Sequence, residues 1–193
     1  MAHTRVVIAS SELRERLALR KSLLKLGYEV MREVADGGSL VHLARTLRPD
    51  VVLLDLHLRG LDGLRAAKAI AAERLAPVVL FGAFADSAVA RHAAAAGVAA
   101  CLSKPVGGRK LLPAIELALA AFRATGELRR EAAALREEAD IERLLHRAKR
   151  VVMAELGIGP LEAVQRVQGL ALSSNKSLQD TAKAILLAAQ TAR

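Results

Sequence analysis

The feature that most constrains the fold of this chain is a fivefold alternation of short apolar runs with helical patterns over its first 125 residues. Three runs are continuous and rich in Val, as expected of strands buried on both faces: Arg5–Ala9, Asp50–Asp55 and Pro77–Phe81. Tyr28–Val34 and Val98–Leu102 are two further predicted strands. Because parallel neighbours need a crossover connection, this alternation predicts a five-stranded parallel α/β sheet with helices on both faces.

The segments between the predicted strands have helical patterns, and Gly27 and Gly97 are expected to end two of them. The predicted helices cover Glu12–Leu26, Ser39–Leu47, Leu64–Glu73, Asp86–Ala96 and Gly108–Arg123. The hydrophobic fraction is 53%, but only 2% of residues are aromatic, so the core must be built from aliphatic side chains.

Composition also indicates the cellular compartment in which the protein is expected. Cys101 is the only cysteine of the sequence, which excludes an internal disulfide and fits a reducing compartment. No apolar run approaches the roughly 20 residues that span a bilayer, and the first residues lack an apolar signal core. We therefore expect a cytoplasmic protein with no membrane partner. The net charge of +9 lies mostly in residues 1–126.

A charged segment and a helical tail follow the α/β pattern. Apolar positions spaced by four and three residues form a short heptad seam in the linker, residues 124–140: Leu128, Ala132, Leu135 and Ala139. A single solvated helix and a dimerising coiled coil both fit this seam. The tail, residues 141–193, is predicted to form three helices, with Ser177 and Asp180 capping the last. The predicted division of the chain is therefore an α/β domain over residues 1–123, the linker over residues 124–140 and the helical tail over residues 141–193.

The carboxyl ends of parallel strands gather functional residues at one edge of a sheet. In this sequence the rule selects Ser10, Ser11 and Glu12 after the first strand, Asp55 after the third, Gly82 after the fourth and Lys104 after the fifth. Asp55, the stretch from His57 to Asp62-Gly63, and Lys104-Pro105 resemble the receiver domain of two-component response regulators over nearly all of residues 4–123. The resemblance implies a flavodoxin-like fold.

The resemblance also implies phosphoryl transfer to Asp55 assisted by Mg²⁺, and here the sequence departs from the family. Ser10 and Ser11 stand in place of two acidic residues that hold the metal, while Gly82 replaces a Ser or Thr and Cys101 an aromatic residue. We interpret the domain as a pseudo-receiver with a lost Mg²⁺ site, no cofactor and an inactive phosphoacceptor position. Rescue by Glu12 and a purely structural ion pair of Asp55 with Lys104 stay open alternatives.

The tail resembles the ANTAR module, a three-helix output domain that binds structured leader RNA and prevents transcription termination. The matching residues are Arg147-Ala148-Lys149, Val151-Val152-Met153, Gly157, Glu162-Ala163 and Leu170-Ala171-Leu172. Arg143, Arg147 and Arg150 recur at helical spacing, and we expect Lys149 beside them at an RNA contact surface. Arg166, Lys176 and Lys183 are predicted to extend it. Arg150 replaces a family glycine, and the tail holds no aromatic residue for base stacking.

Together these features predict an RNA-binding antitermination regulator whose receiver-like domain responds to a regulatory protein or small molecule. The resemblance implies a homodimer through the linker helix, with each output module contacting one hairpin of a two-hairpin leader. The alternatives are a sequestering module without nucleic-acid binding, a phosphorylated response regulator, and a DNA-binding regulator. The last rests on the basic residues Arg14, Arg16, Arg20, Lys21 and Lys25. Catalysis is not expected, because the histidines are scattered along the sequence.

Overall fold

The computed structural model describes residues 3–60, 62–84 and 87–191. Two compact units divide the chain, residues 1–126 and residues 127–193. In the described part of the chain, no helix combines the length and the apolarity needed to cross a membrane.

The first unit contains the five-stranded parallel sheet that the sequence predicts. Its strands are β1 (Arg5–Ala9), β2 (Glu29–Val34), β3 (Val51–Asp55), β4 (Val78–Gly82) and β5 (Ala100–Ser103). Their order across the sheet is β2-β1-β3-β4-β5, and every neighbouring pair is parallel. The order reverses direction after β1, so the carboxyl ends of β1 and β3 flank the point where ligands bind in such sheets.

Helices connect the strands at the predicted places. They are α1 (Leu13–Lys25), α2 (Gly37–Leu47), α3 (Gly63–Ala72), α4 (Ser87–Ala95) and α5 (Gly108–Leu156). Gly27 and Gly97 follow α1 and α4 with φ angles of 84° and 82°, as expected of residues that end helices. Asp86, where the pattern places the start of the fourth helix, lies outside the described residues.

The sheet is apolar on both faces because each face supports its own core. On one face Val6 and Ile8 pack in a cluster with Leu19 and Leu23 of α1 and Ile115 of α5. On the other face a second cluster joins the sheet to α2 and α3; its members include Val7, Ala9, Leu40, Ala66 and Ile70. This double coverage explains why β1, β3 and β4 are continuous apolar runs rather than alternating ones.

The helix α5 joins three segments that the sequence predicts as helical: 108–123, the linker 124–140 and the first tail helix to residue 156. The structure has one helix of 49 residues, Gly108–Leu156. Pro113 lies close to its start, and Gly126 is the single glycine after that point. One helical glycine costs only about 1 kcal/mol, which the surrounding Ala, Leu, Glu and Arg residues outweigh. The three predicted tail helices are therefore the end of α5 followed by two separate helices.

The second unit is all helical and has a small core. It contains the carboxyl-terminal part of α5, α6 (Pro160–Ser173) and α7 (Leu178–Thr191). Val152 of α5 packs with Ala163 and Val167 of α6 in its buried cluster. At the start of α7, the Ser177 Oγ accepts a hydrogen bond from the Asp180 backbone N–H at 3.0 Å and donates to the Asp180 carboxylate at 2.7 Å. The predicted cap is thus confirmed.

One close backbone approach fixes the turn between β3 and α3. A Cβ atom placed on Gly63 would lie 2.3 Å from the Asp55 carbonyl oxygen and 2.6 Å from that of Leu56. Both neighbours are backbone atoms, so they cannot yield by rotating a side chain. Gly63 is therefore required for α3 to begin directly against the end of β3.

We predict that Gly63→Ala lowers the free energy of unfolding of the first unit by about 1–3 kcal/mol or more, because the added methyl group forces a backbone shift. Gly38→Ala is the matched control, since its Cβ would make only an ordinary 3.5 Å contact with the Asp36 side chain. Urea unfolding followed by circular dichroism measures both. Equal stability of the two variants would contradict the steric argument.

Candidate functional site

The structure gathers the predicted residues of the first unit at the carboxyl edge of the sheet. Ser10 follows β1, Asp55 ends β3, Gly82 ends β4 and Lys104 follows β5. The backbone N–H of Lys104 donates to the Gly82 carbonyl oxygen at 3.1 Å, which continues the pairing of β4 and β5. The site is therefore assembled by the parallel register of the strands. Leu61, within the stretch from His57 to Gly63, lies outside the described residues.

Asp55 is the centre of this site and is only 1% exposed. Its Oδ1 accepts a hydrogen bond from the His57 backbone N–H at 3.0 Å. Its Oδ2 lies 2.9 Å from Lys104 Nζ and 3.1 Å from the Ser10 hydroxyl oxygen. Both carboxylate oxygens are thus engaged by the protein itself, as a buried charge requires.

Glu15 belongs to the site, although the sequence patterns did not single it out. Its Oε2 lies 2.9 Å from Lys104 Nζ and accepts a hydrogen bond from the Ser10 hydroxyl at 2.7 Å. Glu12, the residue considered as a rescuing carboxylate, is exposed and makes no side-chain cap of α1. The second carboxylate of the site is therefore Glu15, one turn further along the helix.

A periodic signal in the sequence could have found Glu15. It precedes Leu19 by four residues and Leu23 by eight, and both leucines are buried. Residues four apart lie on the same side of a helix, so Glu15 extends the inward face of α1 towards the carboxyl edge of the sheet. An acidic residue at the end of such an apolar stripe indicates a polar partner at that edge.

Lys104 links the two carboxylates, and its ammonium group also lies 5.5 Å from the centre of the Phe81 ring. Burial by itself lowers the pKa of Lys104. The hydrogen bonds and Coulombic attraction of Asp55 and Glu15 outweigh that effect, so the pKa of Lys104 lies above its usual value. Lys104 consequently stays protonated across the physiological range.

The two serines hold the loop after β1 against its neighbours. The Ser10 hydroxyl accepts from the Glu12 backbone N–H at 3.2 Å, and the Ser11 hydroxyl donates to the His57 carbonyl oxygen at 3.1 Å. Arg16 of α1 donates to the Ser10 carbonyl oxygen at 2.6 Å. Ser10 and Ser11 thus act through neutral hydrogen bonds, and neither brings a negative charge to the site.

Space at the end of β4 is filled. A Cβ atom on Gly82 would lie 2.8 Å from the Cβ of Leu56, closer than real Cβ contacts. Leu56 is itself buried, so a side chain at position 82 cannot fit without a shift of the chain after β3.

Cys101 lies exposed on β5, and partial desolvation raises the pKa of its thiol. The thiol is therefore not activated as a nucleophile.

Mg²⁺, which the receiver resemblance implies, does not fit the donor set. The carboxylates of Asp55 and Glu15 share the ammonium group of Lys104, which takes the position between them. The His57 carbonyl oxygen accepts the Ser11 hydroxyl. Within residues 3–60, 62–84 and 87–191, no three His, Cys, Asp or Glu side chains form a group that could hold a metal ion. A hard cation prefers several free oxygen ligands.

Lys149 lies on a different side of α5 from Arg147 and Arg150. Arg147 and Arg150 line a groove between α5 and α7, together with Leu186, Ala189 and Gln190. Lys149, which the helical spacing was expected to place beside them, lines a different groove with Val164 and Val167 of α6. It lies two residues from Arg147 in sequence, which is about 200° around a helix.

The other predicted cations are dispersed. Arg143 pairs with Asp140 at 3.1 Å, and both side chains are mostly exposed. Lys183 lies with Arg136 in a groove between α7 and α5, whereas Arg166 lies near Glu162 and Leu156. Lys176 is exposed in the turn between α6 and α7. Among the predicted RNA contacts, Arg147 and Arg150 line one groove together.

Family comparisons agree with both units. The model of the response regulator receiver domain matches residues 6–116, and that of the ANTAR domain matches residues 133–186. The order of the two domains defines a class of signalling regulators in which a receiver precedes an ANTAR output module. The chain belongs to this family of ANTAR-type response regulators.

Similarity to one curated protein extends over nearly the whole chain. The transcriptional regulatory protein PdtaR of Mycobacterium tuberculosis is 35% identical over 94% of this chain and 89% of its own length. The DNA-binding transcriptional activator EvgA of Escherichia coli is 30% identical over 52% of this chain and 50% of its own length.

Solved structures match the first unit. A signal receiver domain of a modulated diguanylate cyclase from Desulfovibrio desulfuricans covers 64% of this chain and 99% of its own, with 30% identity and a TM-score of 0.60. A LuxR-family two-component response regulator from Aurantimonas covers 62% and 87%, with 30% identity and a TM-score of 0.58. The receiver fold is thereby confirmed.

We predict that Glu15→Gln lowers the pKa of Lys104, because it removes one of the two charges that offset desolvation. Charged Lys104 stabilises the fold below its unfolded pKa of about 10.4, and this stabilisation is lost as pH rises through the raised folded pKa. In the variant the loss begins at lower pH. An NMR titration of the Lys104 side chain measures the shift. Glu12→Gln, which removes an equal but exposed charge, should leave the titration unchanged, and an equal shift in both variants would contradict a specific contact.

Proposed function

We propose that the protein is an RNA-binding transcription antiterminator whose receiver domain works without phosphorylation. The match of residues 133–186 to the ANTAR domain supports RNA binding by the second unit. Resemblance to that family implies recognition of paired hairpins in leader transcripts. PdtaR, similar over nearly the whole chain, bears the name of a transcriptional regulatory protein. The function lies in regulation rather than in catalysis.

The observation that carries the proposal is the groove of Arg147 and Arg150 between α5 and α7. Both guanidinium groups are on exposed residues one helical turn apart, and Gln190 adds an amide that can donate and accept. Guanidinium groups bind phosphates in a fork and stack on unpaired bases, which are the two contacts that a hairpin loop offers. The apolar floor of Leu186 and Ala189 suits the face of a base.

The geometry around Asp55 supports a receiver that does not accept phosphate. Its Oδ2 is held by Lys104 and Ser10, while Glu15 adds a negative charge beside the same lysine. An incoming phosphoryl group would meet that charge without a metal ion to neutralise it. Asp55 and Lys104 then serve as a fixed ion pair that holds the ends of β3 and β5 together.

Control in the proposed function comes from a regulatory protein or a small ligand that binds the receiver domain. We also propose that the chain is a homodimer through the linker part of α5. Leu128 and Leu135 are 65% and 60% exposed on that helix and lie seven residues apart, as the apolar positions of a coiled coil do. A dimer presents two Arg147 and Arg150 grooves, so that a two-hairpin leader RNA is bound by both copies.

A protein-binding role without RNA is the second candidate, and exposed leucines on α6 and α7 favour it. Leu161, Leu172 and Leu187 are exposed by 75%, 83% and 64%. DNA binding by the first unit has less support. Among the basic residues of α1, Arg20 forms an ion pair with Glu33, and Arg16 contacts both Glu33 and the Ser10 carbonyl oxygen.

We predict that Arg147→Ala/Arg150→Ala lowers affinity for paired-hairpin leader RNA about tenfold or more and reduces the salt dependence of binding by about two phosphate contacts. The RNA is taken from upstream of genes neighbouring the one that encodes this protein, with an unrelated RNA for comparison. Arg65→Ala/Lys68→Ala, which removes two exposed cations from α3, is the matched control and should bind normally. Gel shifts at low and high salt measure the affinities.

Equal losses in the two double variants would show that only net charge matters and would contradict the groove assignment. If the wild-type protein fails to distinguish leader RNA from unrelated RNA, the antitermination proposal fails, and the protein-binding candidate takes its place.

We predict that incubation with acetyl phosphate and Mg²⁺ leaves the intact mass of the protein unchanged, because Ser10 and Ser11 bring no charge to bind the metal and the Lys104 ammonium group lies between the Asp55 and Glu15 carboxylates. Mass spectrometry of the whole protein makes the measurement, and a receiver domain with an intact acidic pair serves as the positive control. Stoichiometric gain of one phosphoryl group that disappears in Asp55→Asn would overturn the pseudo-receiver proposal.

A further inference from the structure

The amino edge of the sheet, where the strands begin, carries a group of arginine side chains. Arg5 begins β1, Arg48 follows α2 and Arg74 lies just after α3. Arg123 lies on the part of α5 that belongs to the first unit. Strands of a parallel sheet all begin at one edge and the crossover helices end there, so these distant sequence positions meet on one side of the unit.

Contacts with Asp50 show that three of these arginines are neighbours. Arg5 donates to the Asp50 carboxylate at 3.2 Å and to the Arg48 carbonyl oxygen at 2.7 Å. Burial raises the pKa of Asp50, but the hydrogen bonds of Arg5 and the positive charges of Arg5 and Arg123 outweigh it. Arg123 is therefore close enough to Asp50 to act on its charge, and Arg48 adjoins the same pair.

The carboxylates at this edge are taken by other arginines. Arg45, in the last turn of α2, donates to the Glu73 carboxylate at 2.8 Å. These hydrogen bonds lower the pKa of Glu73, and the positive charges of Arg45 and Arg48 contribute to the same effect. In residues 3–60, 62–84 and 87–191, no ion pair includes the guanidinium group of Arg48, Arg74 or Arg123. Three positive charges at this edge thus have no carboxylate bound to them.

Phe122 adds an aromatic ring beside these charges. The Arg74 Cζ lies 5.3 Å from the centre of the Phe122 ring, and Phe122 directly precedes Arg123. Phe122 is half-buried, and among the described residues it is in neither of the two apolar clusters of the first unit. Phe81 and Tyr28, in contrast, are buried in the core. Part of the Phe122 ring is therefore accessible next to the arginines.

Backbone conformation indicates that two of these arginines are present for their side chains. Gly27 follows α1 with a φ angle of 84°, whereas Arg48 and Arg74 adopt φ angles of 47° and 51° after α2 and α3. A Cβ atom is unfavourable in this left-handed region, so glycine would suit both positions better. Arg45 already supplies a cation to the carboxyl end of α2, so the helix dipole does not account for Arg48 as well.

We propose that Arg48, Arg74, Phe122 and Arg123 form a binding patch for single-stranded RNA on the first unit. The inference goes beyond the hairpin contacts of the second unit, and it rests on the proposed RNA-binding function for the identity of the anion. Phosphates bind the three guanidinium groups, and an unpaired base stacks on the accessible part of the Phe122 ring. The nucleotides that flank the hairpins of a leader RNA have this chemistry.

The ring decides between the anionic partners that could meet the patch. An acidic protein surface would satisfy the arginines but has no base to stack on Phe122. A duplex exposes its phosphates while its bases stay stacked on each other, so it also leaves the ring without a partner. A single strand offers phosphates and unstacked bases together. Because the helical tail holds no aromatic residue, Phe122 provides a stacking surface that the second unit lacks.

Removal of charge at positions that favour glycine tests the phosphate contacts. Arg48→Gly/Arg74→Gly deletes two cations, and the positive φ angles suit glycine, so the fold is preserved. Affinity for a short fluorescent oligoadenylate, measured by anisotropy, should fall about tenfold or more, and the salt dependence should decrease by about two phosphate contacts. Arg65→Ala/Lys68→Ala is the matched control and should bind normally. Equal affinities of the two double variants would overturn the proposal.

Tryptophan fluorescence tests the stacking contact. The sequence contains no tryptophan, so Phe122→Trp and Phe84→Trp each give the chain a single fluorophore. Phe84 packs against the apolar cluster below α2 and α3, away from the patch. Oligoadenylate should quench the fluorescence of Phe122→Trp, less so as salt rises, and leave that of Phe84→Trp unchanged. Absence of quenching in Phe122→Trp, or equal quenching in both variants, would refute the stacking role.

Both measurements use the full chain in an Arg147→Ala/Arg150→Ala background, so that the groove of the second unit does not contribute. Binding of oligoadenylate in this background is expected and reports the patch alone. Its absence would overturn the patch while leaving selective hairpin binding by the wild-type protein intact. The two proposals therefore fail separately.

Discussion

The burial of a single carboxylate governs the first unit. Asp55 lies at the end of a central strand with almost no access to water, and a charge in that position is tolerated only when the protein supplies its partners. Those partners come from three separate loops: the His57 backbone, the Ser10 hydroxyl and the Lys104 ammonium group. The loops after β1, β3 and β5 are thereby held at one edge of the sheet. The approach of Gly63 to the Asp55 carbonyl fixes the adjacent helix to the same point.

In the proposed pseudo-receiver, the same network holds the carboxyl edge of the sheet together without phosphoryl chemistry. Replacing two acidic residues by Ser10 and Ser11 would leave Lys104 facing one carboxylate, and Glu15 supplies a second from α1. The resulting group of two carboxylates, one ammonium and one hydroxyl satisfies its own hydrogen bonds. No buried side-chain nitrogen or oxygen in the described chain lacks a hydrogen-bond partner. In the proposed function the domain is a fixed docking module, and changes of state arise from what binds to it or from dimerisation.

The sequence predicts the fold of the first unit to within one or two residues at most strand ends, because strands covered on both faces leave continuous apolar runs. It also predicts Asp55 and Lys104 at the carboxyl edge, since strand order alone brings those positions together. Glu15 was missed because it lies on a helix and not at the end of a strand, although its spacing of four and eight residues from the buried Leu19 and Leu23 places it on the inward face of α1. Lys149 was grouped with Arg147 for a related reason: proximity in sequence does not give the same side of a helix. The helical segments predicted over residues 108–156 form one helix, because Gly126 is too weak to end a helix built of strong helix formers.

The contact between Gly82 and Leu56 has an evolutionary consequence. A hydroxyl side chain at position 82 would need space that the Leu56 Cβ now occupies. Leu56 is packed in the core between the sheet and α3. A smaller residue at position 56 would therefore leave a cavity unless Gly82 were also replaced by a larger residue. Each replacement is therefore harmful without the other, a case of reciprocal sign epistasis. A hydroxyl side chain at position 82 is therefore reached through a paired change at positions 56 and 82, and not through single neutral substitutions.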